Sequence, residues 1–432
     1  MCDEPVIEYG ISPPQKKASA FATIKQKLKG HSPYGILLKL AKQPTLRATA
    51  AFALSGLAFA VGTLLLARSM PVEAFGHFAL AIALFNVFGL LAPIGVDQVL
   101  LRHRVDPGPR LLMRLVATGF AIGTAVGLAY MASSGLRYVD AAALCLVIIA
   151  GGIIATLASL ARAAMHELHS LLLATAASWI LIVIGALSLV FPMENSLLPL
   201  CLFALGNVAV AIWGWAQVDS THRVAIHERV NIPWNEAFSL LGIAAIGTVM
   251  LQLERLIIPA TIGINALALF SVLASVAIFP FRLLTASAGF SIIPKLRAAT
   301  SMRMKRKLVR TEFFFIIGLL LAATIAIVTI APYATHLLTG GRYEVSLNLV
   351  IAACMNGSAK VLQALPRAIL TGCGNDKDIA LLNRMGTLGL MASIIGAFIG
   401  AQWELAGLLY GVAIGSMVGS VPAILLARRS IR

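Results

Sequence analysis

The chain has 432 residues, 59% of them hydrophobic and 12% charged, with a mean hydropathy of +0.89. A soluble domain carries about 25% charged and about 45–50% apolar residues, so an ordinary soluble globule is excluded and lipid is the solvent that can take this much apolar surface. The net charge of +16 sits in short loops and in the N-terminal tail, which is the pattern of the positive-inside rule and not of a nucleic-acid-binding protein.

In chain order, residues 1–46 form a basic tail. Phe21, Ile24 and Leu28 fall on one helical face with Lys25, Lys27 and Lys29 beside them, a pattern suited to an anionic leaflet and equally to an unstructured basic tail. The tail lacks the short apolar core and small-residue cleavage site of a signal peptide. Beyond it the apolar runs are long and do not alternate. Hydrocarbon offers no hydrogen-bond partners, so such runs are helices, each needing about 20 residues to cross a core of about 30 Å. Twelve spans are expected, at 47–67, 75–101, 111–132, 139–163, 171–191, 195–217, 236–260, 266–292, 312–332, 345–370, 378–400 and 404–427. The stretch 218–235 divides them into a first lobe, 47–217, and a second, 236–432.

Lysine and arginine orient the spans. With the N-terminus inside, the inner segments hold eight in the tail, four at Arg102–Arg114 and seven at Lys295–Arg310, while the outer loops hold Arg68, Arg137 and Arg342. Both termini are then expected in the cytoplasm. Cys2, Cys145, Cys201, Cys354 and Cys373 form no CxxC pair, so neither a disulfide framework nor a zinc site is expected. His166-Glu-Leu-His169 lacks a third ligand and reads as a plain loop, and no metal or cofactor site is expected.

Two features speak to packing. AFGHFALAIALF (Ala74–Phe85) opens the second span and NALALFSVLASV (Asn265–Val276) the eighth. SLARAAMHELHS (Ser159–Ser170) ends the fourth and ALPRAILTGCGN (Ala364–Asn375) the tenth. Together they indicate a parallel repeat, an arrangement that places substrate between the halves of many transporters. Glycines four apart, at Gly119, Gly123 and Gly127 and again at Gly407, Gly411, Gly415 and Gly419, make small faces for tight helix packing.

Ionisable groups inside spans cost about 2.5–3.5 kcal/mol each on insertion scales, so they need partners or a polar cavity. In the tenth span Asn356, Lys360, Gln363 and Arg367 recur at helical spacing and share a face, which points to a cavity lining; lobe packing, with Arg367 snorkelling to the interface, is the alternative. In the seventh, Thr248, Gln252 and Arg255 share a face, and Glu254 is placed to pair with a neighbouring cation. In the eighth, Ser271, Ser275 and Arg282 do. Arg282 and Lys360 are expected at similar depth. In the first lobe Asn86, Pro93 and Asp97 share a face, with Asp97 a counter-charge to a cavity arginine, an ion-coupling group, or a partner of Arg102 or Arg104 at the inner interface. Outer loops are too short for the catalytic site of a membrane-embedded polymerase or ligase, so no catalytic residue is expected.

Several of these residues resemble a known family. Phe75-Gly76 followed by Gly95, Asp97 and Arg102, then LERLIIPATIGINALALFSV (Leu253–Val272), SIIPKL (Ser291–Leu296) and GGRYEVSLNLV (Gly340–Val350), resemble the bacterial polysaccharide and O-antigen flippases. Glu254 stands where that family often has Asp, and Leu269 where it often has Gly. The resemblance implies an all-α protein of about twelve transmembrane helices, in two six-helix lobes around a central cavity that opens alternately to either side. It implies a non-enzyme of the bacterial inner membrane that moves polyprenyl-pyrophosphate-linked oligosaccharide without hydrolysing ATP. A lipid-linked anionic glycan, membrane lipids, and polymerase or glycosyltransferase machinery would be its partners. On that reading Arg255, Arg282, Lys360, Arg367, Asn356, Gln363, Gln252 and Asn86 line the substrate path, with Asp97 and Glu254 as ion-coupling groups or counter-charges. A multidrug or cation antiporter and a peptidoglycan lipid-precursor flippase are the rival expectations.

Overall fold

In the computed structural model, residues 44–103, 109–134, 137–164, 166–222, 233–284, 296, 299, 301–373 and 376–430 are described. The basic tail, with its face at Phe21, Ile24 and Leu28, lies outside the described residues up to Gln43, as does 223–232 of the stretch between the halves. The described residues are helical with short connections, and among them there is no strand.

The first half runs α1 (Pro44–Ser69), α2 (Val72–Leu91), α3 (Val96–His103), α4 (Pro109–Ser134), α5 (Tyr138–Ala163), α6 (Glu167–Leu187) and α7 (Leu197–His222). The second runs α8 (Trp234–Thr261), α9 (Ile264–Leu284), α10 (Met302–Thr339), α11 (Leu347–Cys373), α12 (Asp376–Gly400) and α13 (Glu404–Ser430). Among the described residues eleven stretches are long and apolar enough to cross a membrane. The last covers 49 residues, Leu381–Arg429, about 73 Å of helix at 1.5 Å per residue. It is two crossings. A short 3-10 turn at Ala401–Trp403 and a positive φ of 58° at Glu404 reverse the chain between α12 and α13.

The glycine faces explain how these hairpins close. Gly411 lies against the backbone carbonyl of Gly396, Gly407 against that of Gly400, Gly415 against Ala392, and Gly419 against Gly389. In the first half Gly119, Gly123 and Gly127 of α4 meet Ile149, Cys145 and Ala141 of α5 in antiparallel order. Small residues let helix backbones approach this closely. A side chain at Gly411 would strike the Gly396 carbonyl. Gly411→Leu is therefore expected to lower stability by about 1–3 kcal/mol through overpacking. Gly318→Ala, in open space on α10, should leave the melting temperature of the purified protein unchanged or raise it slightly. Equal behaviour of the two variants would contradict this packing.

The second expected span is not continuous. α2 ends at Leu91, and Ile94 (φ 51°) and Gly95 (φ 76°) turn the chain before α3. Pro93 can donate no backbone hydrogen bond, and a Cβ at Gly95 would collide with the Ala237 carbonyl at the start of α8. Asn86 and Asp97 thus sit on either side of a break and do not share one helical face. The ninth expected span, 312–332, is longer than the hydropathy core suggests. α10 has 38 residues, and its first turns are basic, with Arg303, Lys305, Arg306, Lys307 and Arg310. Ser301 Oγ caps it by accepting from the Met304 N–H at 3.3 Å, and Gly340 ends it in the left-handed region.

α2 binds the halves together. It packs on α5 in the first half and on α8 and α9 in the second. At its start Gly76 lies tightly on the Ile264 carbonyl, and Phe75 meets Tyr343 edge to face at 6.3 Å. Next to it Arg342 Nη1 donates to the Met70 carbonyl at 3.0 Å. The Tyr343 hydroxyl is buried without a partner, and burial pushes it up to about 12.

Candidate functional site

The polar centre of the second half is built by three helices. α8 contributes Gln252, Glu254 and Arg255, α9 contributes Ser271, Ser275 and Arg282, and α11 contributes Asn356 and Lys360. Glu254 is 1% exposed. Its Oε1 accepts from Asn356 Nδ2 at 2.7 Å, and Lys360 Nζ reaches Oε1 at 2.6 Å and Oε2 at 2.9 Å. Asn356 and Lys360 are one helical turn apart, so the same face of α11 delivers both donors. That face meets α8. The rest of the expected stripe turns elsewhere: Gln363 and Arg367 lie beside Gly389 and Gly386 of α12. The tenth-span stripe is therefore shared between two neighbouring helices.

Arg282 lies just beyond a π turn at Ala274–Ile278. A π turn inserts one residue into a helix and often marks a functional segment. Ser275 Oγ donates to the Ser271 carbonyl at 2.9 Å beside it. Arg282 Nη2 donates to the Leu251 carbonyl of α8 at 3.1 Å, while its Nε is buried without a partner.

Arg255 is 3% exposed, and among the described residues no carboxylate pairs with it. Its guanidinium lies 5.8 Å from the centre of the Phe59 ring, a cation–π distance. Its Nε has no hydrogen-bond partner, and neither has Ser271 Oγ, which is 1% exposed. Both line one mainly apolar cavity with Phe59 and Thr63 of α1, Phe75, Phe78, Ala79 and Ile82 of α2, and Leu181 of α6. The cavity thus lies between the halves, with the second supplying the guanidinium and the unpartnered hydroxyl. The aromatic walls carried no signal in the sequence beyond the Phe75-Gly76 pair.

The remaining expected residues are scattered. Gln252 is buried, with its Oε1 unpartnered. Asn86 is half-buried on α2. Asp97 is 8% exposed and accepts from Gln98 Nε2 at 2.6 Å; the side chains of Arg102 and Arg104 lie outside the described residues. His169 stacks on Trp213 with ring centres 6.0 Å apart.

No known protein family matches the sequence, and no curated protein matches it either. Solved structures do. The lipid II flippase MurJ in an inward closed conformation is 11% identical, with a TM-score of 0.65 over 89% of each chain. An inward-facing MATE multidrug resistance transporter of the MOP superfamily is 13% identical, with a TM-score of 0.63 over 87% of this chain and 94% of that one. The multidrug transporter DinF-BH is 12% identical, with a TM-score of 0.58 over 90% and 95%. The chain shares the fold of these three solved structures. It is an all-helical, multi-pass membrane protein with two lobes, and its structural neighbours are transporters and a flippase, not enzymes.

Proposed function

We propose that the protein is a flippase. It moves polyprenyl-pyrophosphate-linked oligosaccharide units for a surface polysaccharide across the bacterial inner membrane by alternating access, with both termini in the cytoplasm. The observation that carries this reading is Arg255, a buried guanidinium that forms no ion pair among the described residues, facing a cavity between the halves beside an unpartnered Ser271 hydroxyl. A buried charge without an ion-pair partner is expensive, and an anion admitted when alternating access widens the cavity relieves it. Guanidinium offers a fork of donors that matches phosphate oxygens.

Three cations, Arg255, Arg282 and Lys360, surround one carboxylate, Glu254, so the cluster retains positive charge for two phosphates. In this reading Arg255 and Arg282 hold the anionic head, and Lys360 joins them when its pair with Glu254 opens. Asn356 orients Glu254, while Gln252, Gln363, Arg367 and Asn86 line the path and Asp97 serves as a counter-charge. The oligosaccharide is passed to polymerase or glycosyltransferase machinery, and the lipid tail stays in the bilayer. The same positive charge repels a cationic drug, which speaks against a multidrug exporter. A lipid-linked peptidoglycan precursor has a similar anionic head, and the likeness to MurJ makes it the second reading.

The test is the sidedness of lipid-linked intermediates in cells lacking this protein. Oligosaccharide trapped on the cytoplasmic face with loss of surface polysaccharide is the expected result. Trapped cell-wall precursor would favour the second reading. Normal glycan with altered sensitivity to cationic drugs would overturn both in favour of an exporter.

A further inference from the structure

We infer that Glu254 and Asn356 form a binding site for a monovalent cation whose occupant is tethered: the ammonium of Lys360. The carboxylate is held entirely inside the protein, and both of its oxygens converge on one nitrogen, at 2.6 and 2.9 Å. Asn356 fixes the carboxylate from the other side through Nδ2. Its own Oδ1 is buried and has no partner, so it does not touch the ammonium, and the two carboxylate oxygens form the seat. Two carboxylate oxygens are hard donors suited to a small cation. Lysine enters from one turn further along α11 and places a compact, strongly hydrated charge on them.

The consequence is that, while Lys360 is paired with it, Glu254 is closed to a soluble coupling ion. In this paired arrangement it serves as a counter-charge and positioning residue, and a sodium dependence of this arrangement enters elsewhere. Arg255 on the same helix and Arg282 from α9 are the other charged groups of this cluster, and neither is hydrogen-bonded to Glu254, so removing the lysine head group leaves the seat to be filled from solution. This inference does not depend on the substrate proposed above.

The experiment compares melting temperatures of the purified full chain in sodium, methylammonium or N-methylglucamine chloride at equal ionic strength. Lys360→Ala is expected to melt several degrees higher in sodium or methylammonium than in N-methylglucamine, with a saturable dose response. The wild type and the double variant Lys360→Ala, Glu254→Gln should not respond. A Lys360→Ala protein indifferent to the cation overturns the inference. So does a wild type whose sodium response disappears in Glu254→Gln, because the seat would then already be open. If Lys360→Ala does not fold without cations, its recovery in functional yield on methylammonium addition during solubilisation carries the expected result, and failure to recover with any cation overturns it. The wild-type comparison stands in either case.

Discussion

Glu254→Gln is expected to destabilise the protein by about 3–5 kcal/mol, the penalty for stranding one member of a buried ion pair. The substitution keeps the shape of the side chain and an oxygen for Asn356 Nδ2, but it leaves the Lys360 ammonium facing a neutral amide in a site that is 10% exposed on the lysine side. Lys360→Met should be similarly harmful, because it strands the carboxylate. The double variant Glu254→Gln, Lys360→Met should recover most of the loss, since removing both charges removes the need to desolvate them. The measurement is a double-mutant cycle by thermal or denaturant unfolding in detergent. Losses that simply add would show that the two groups are independent and that their short distances contribute nothing to the fold.

Arg255→Gln is expected to act in the opposite way on stability and to impair function. Its guanidinium has no acid to lose, so removing the charge relieves a buried cation and should leave the melting temperature unchanged or higher. Flipping should fall about 10- to 100-fold, the equivalent of one charge-assisted hydrogen bond of about 1.5–3 kcal/mol to the anionic head. Arg255→Lys should restore only part of the activity, because a point charge cannot reproduce the fork geometry. Surface polysaccharide, membrane abundance and melting temperature measured on one set of strains would decide it. Loss of abundance together with loss of glycan would assign Arg255 to the scaffold instead of the substrate.

Much of the fold can be read from the sequence because lipid imposes so few solutions. Continuous apolar stretches placed the crossings near their observed positions, and the Gly407–Gly419 row identified a helix face whose partner proved to be α12. The departures arise where local backbone chemistry interrupts a smooth pattern. Ala92–Gly95 breaks the second crossing because Pro93 has no N–H to donate and Gly95 sits where α8 approaches closely. The sequence shows those residues, but not the neighbour that makes the break necessary. The site was legible in part for a similar reason. Helical spacing put Asn356, Lys360, Gln363 and Arg367 on one stripe, and Glu254 was placed to pair with a cation. Spacing along one helix cannot reveal that two neighbours divide the stripe, one taking Asn356 and Lys360 and the other Gln363 and Arg367. The cavity walls at Phe59 and Phe78 were invisible, because an aromatic residue in an apolar span looks the same whether it faces lipid, core or ligand.

The π turn in α9 acts as a phase shifter. A helix advances about 100° per residue, so the one extra residue at Ala274–Ile278 rotates everything after it relative to everything before it. Ser271, upstream, is thereby free to look toward the cavity shared with α1 and α2, while Arg282, downstream, is aimed at the Leu251 carbonyl of α8. One helix serves two audiences. A single-residue deletion within that turn would restore ordinary winding and swing Arg282 off α8, although no contacting side chain had been altered. For this helix the length of the sequence between two residues carries as much information as their identities.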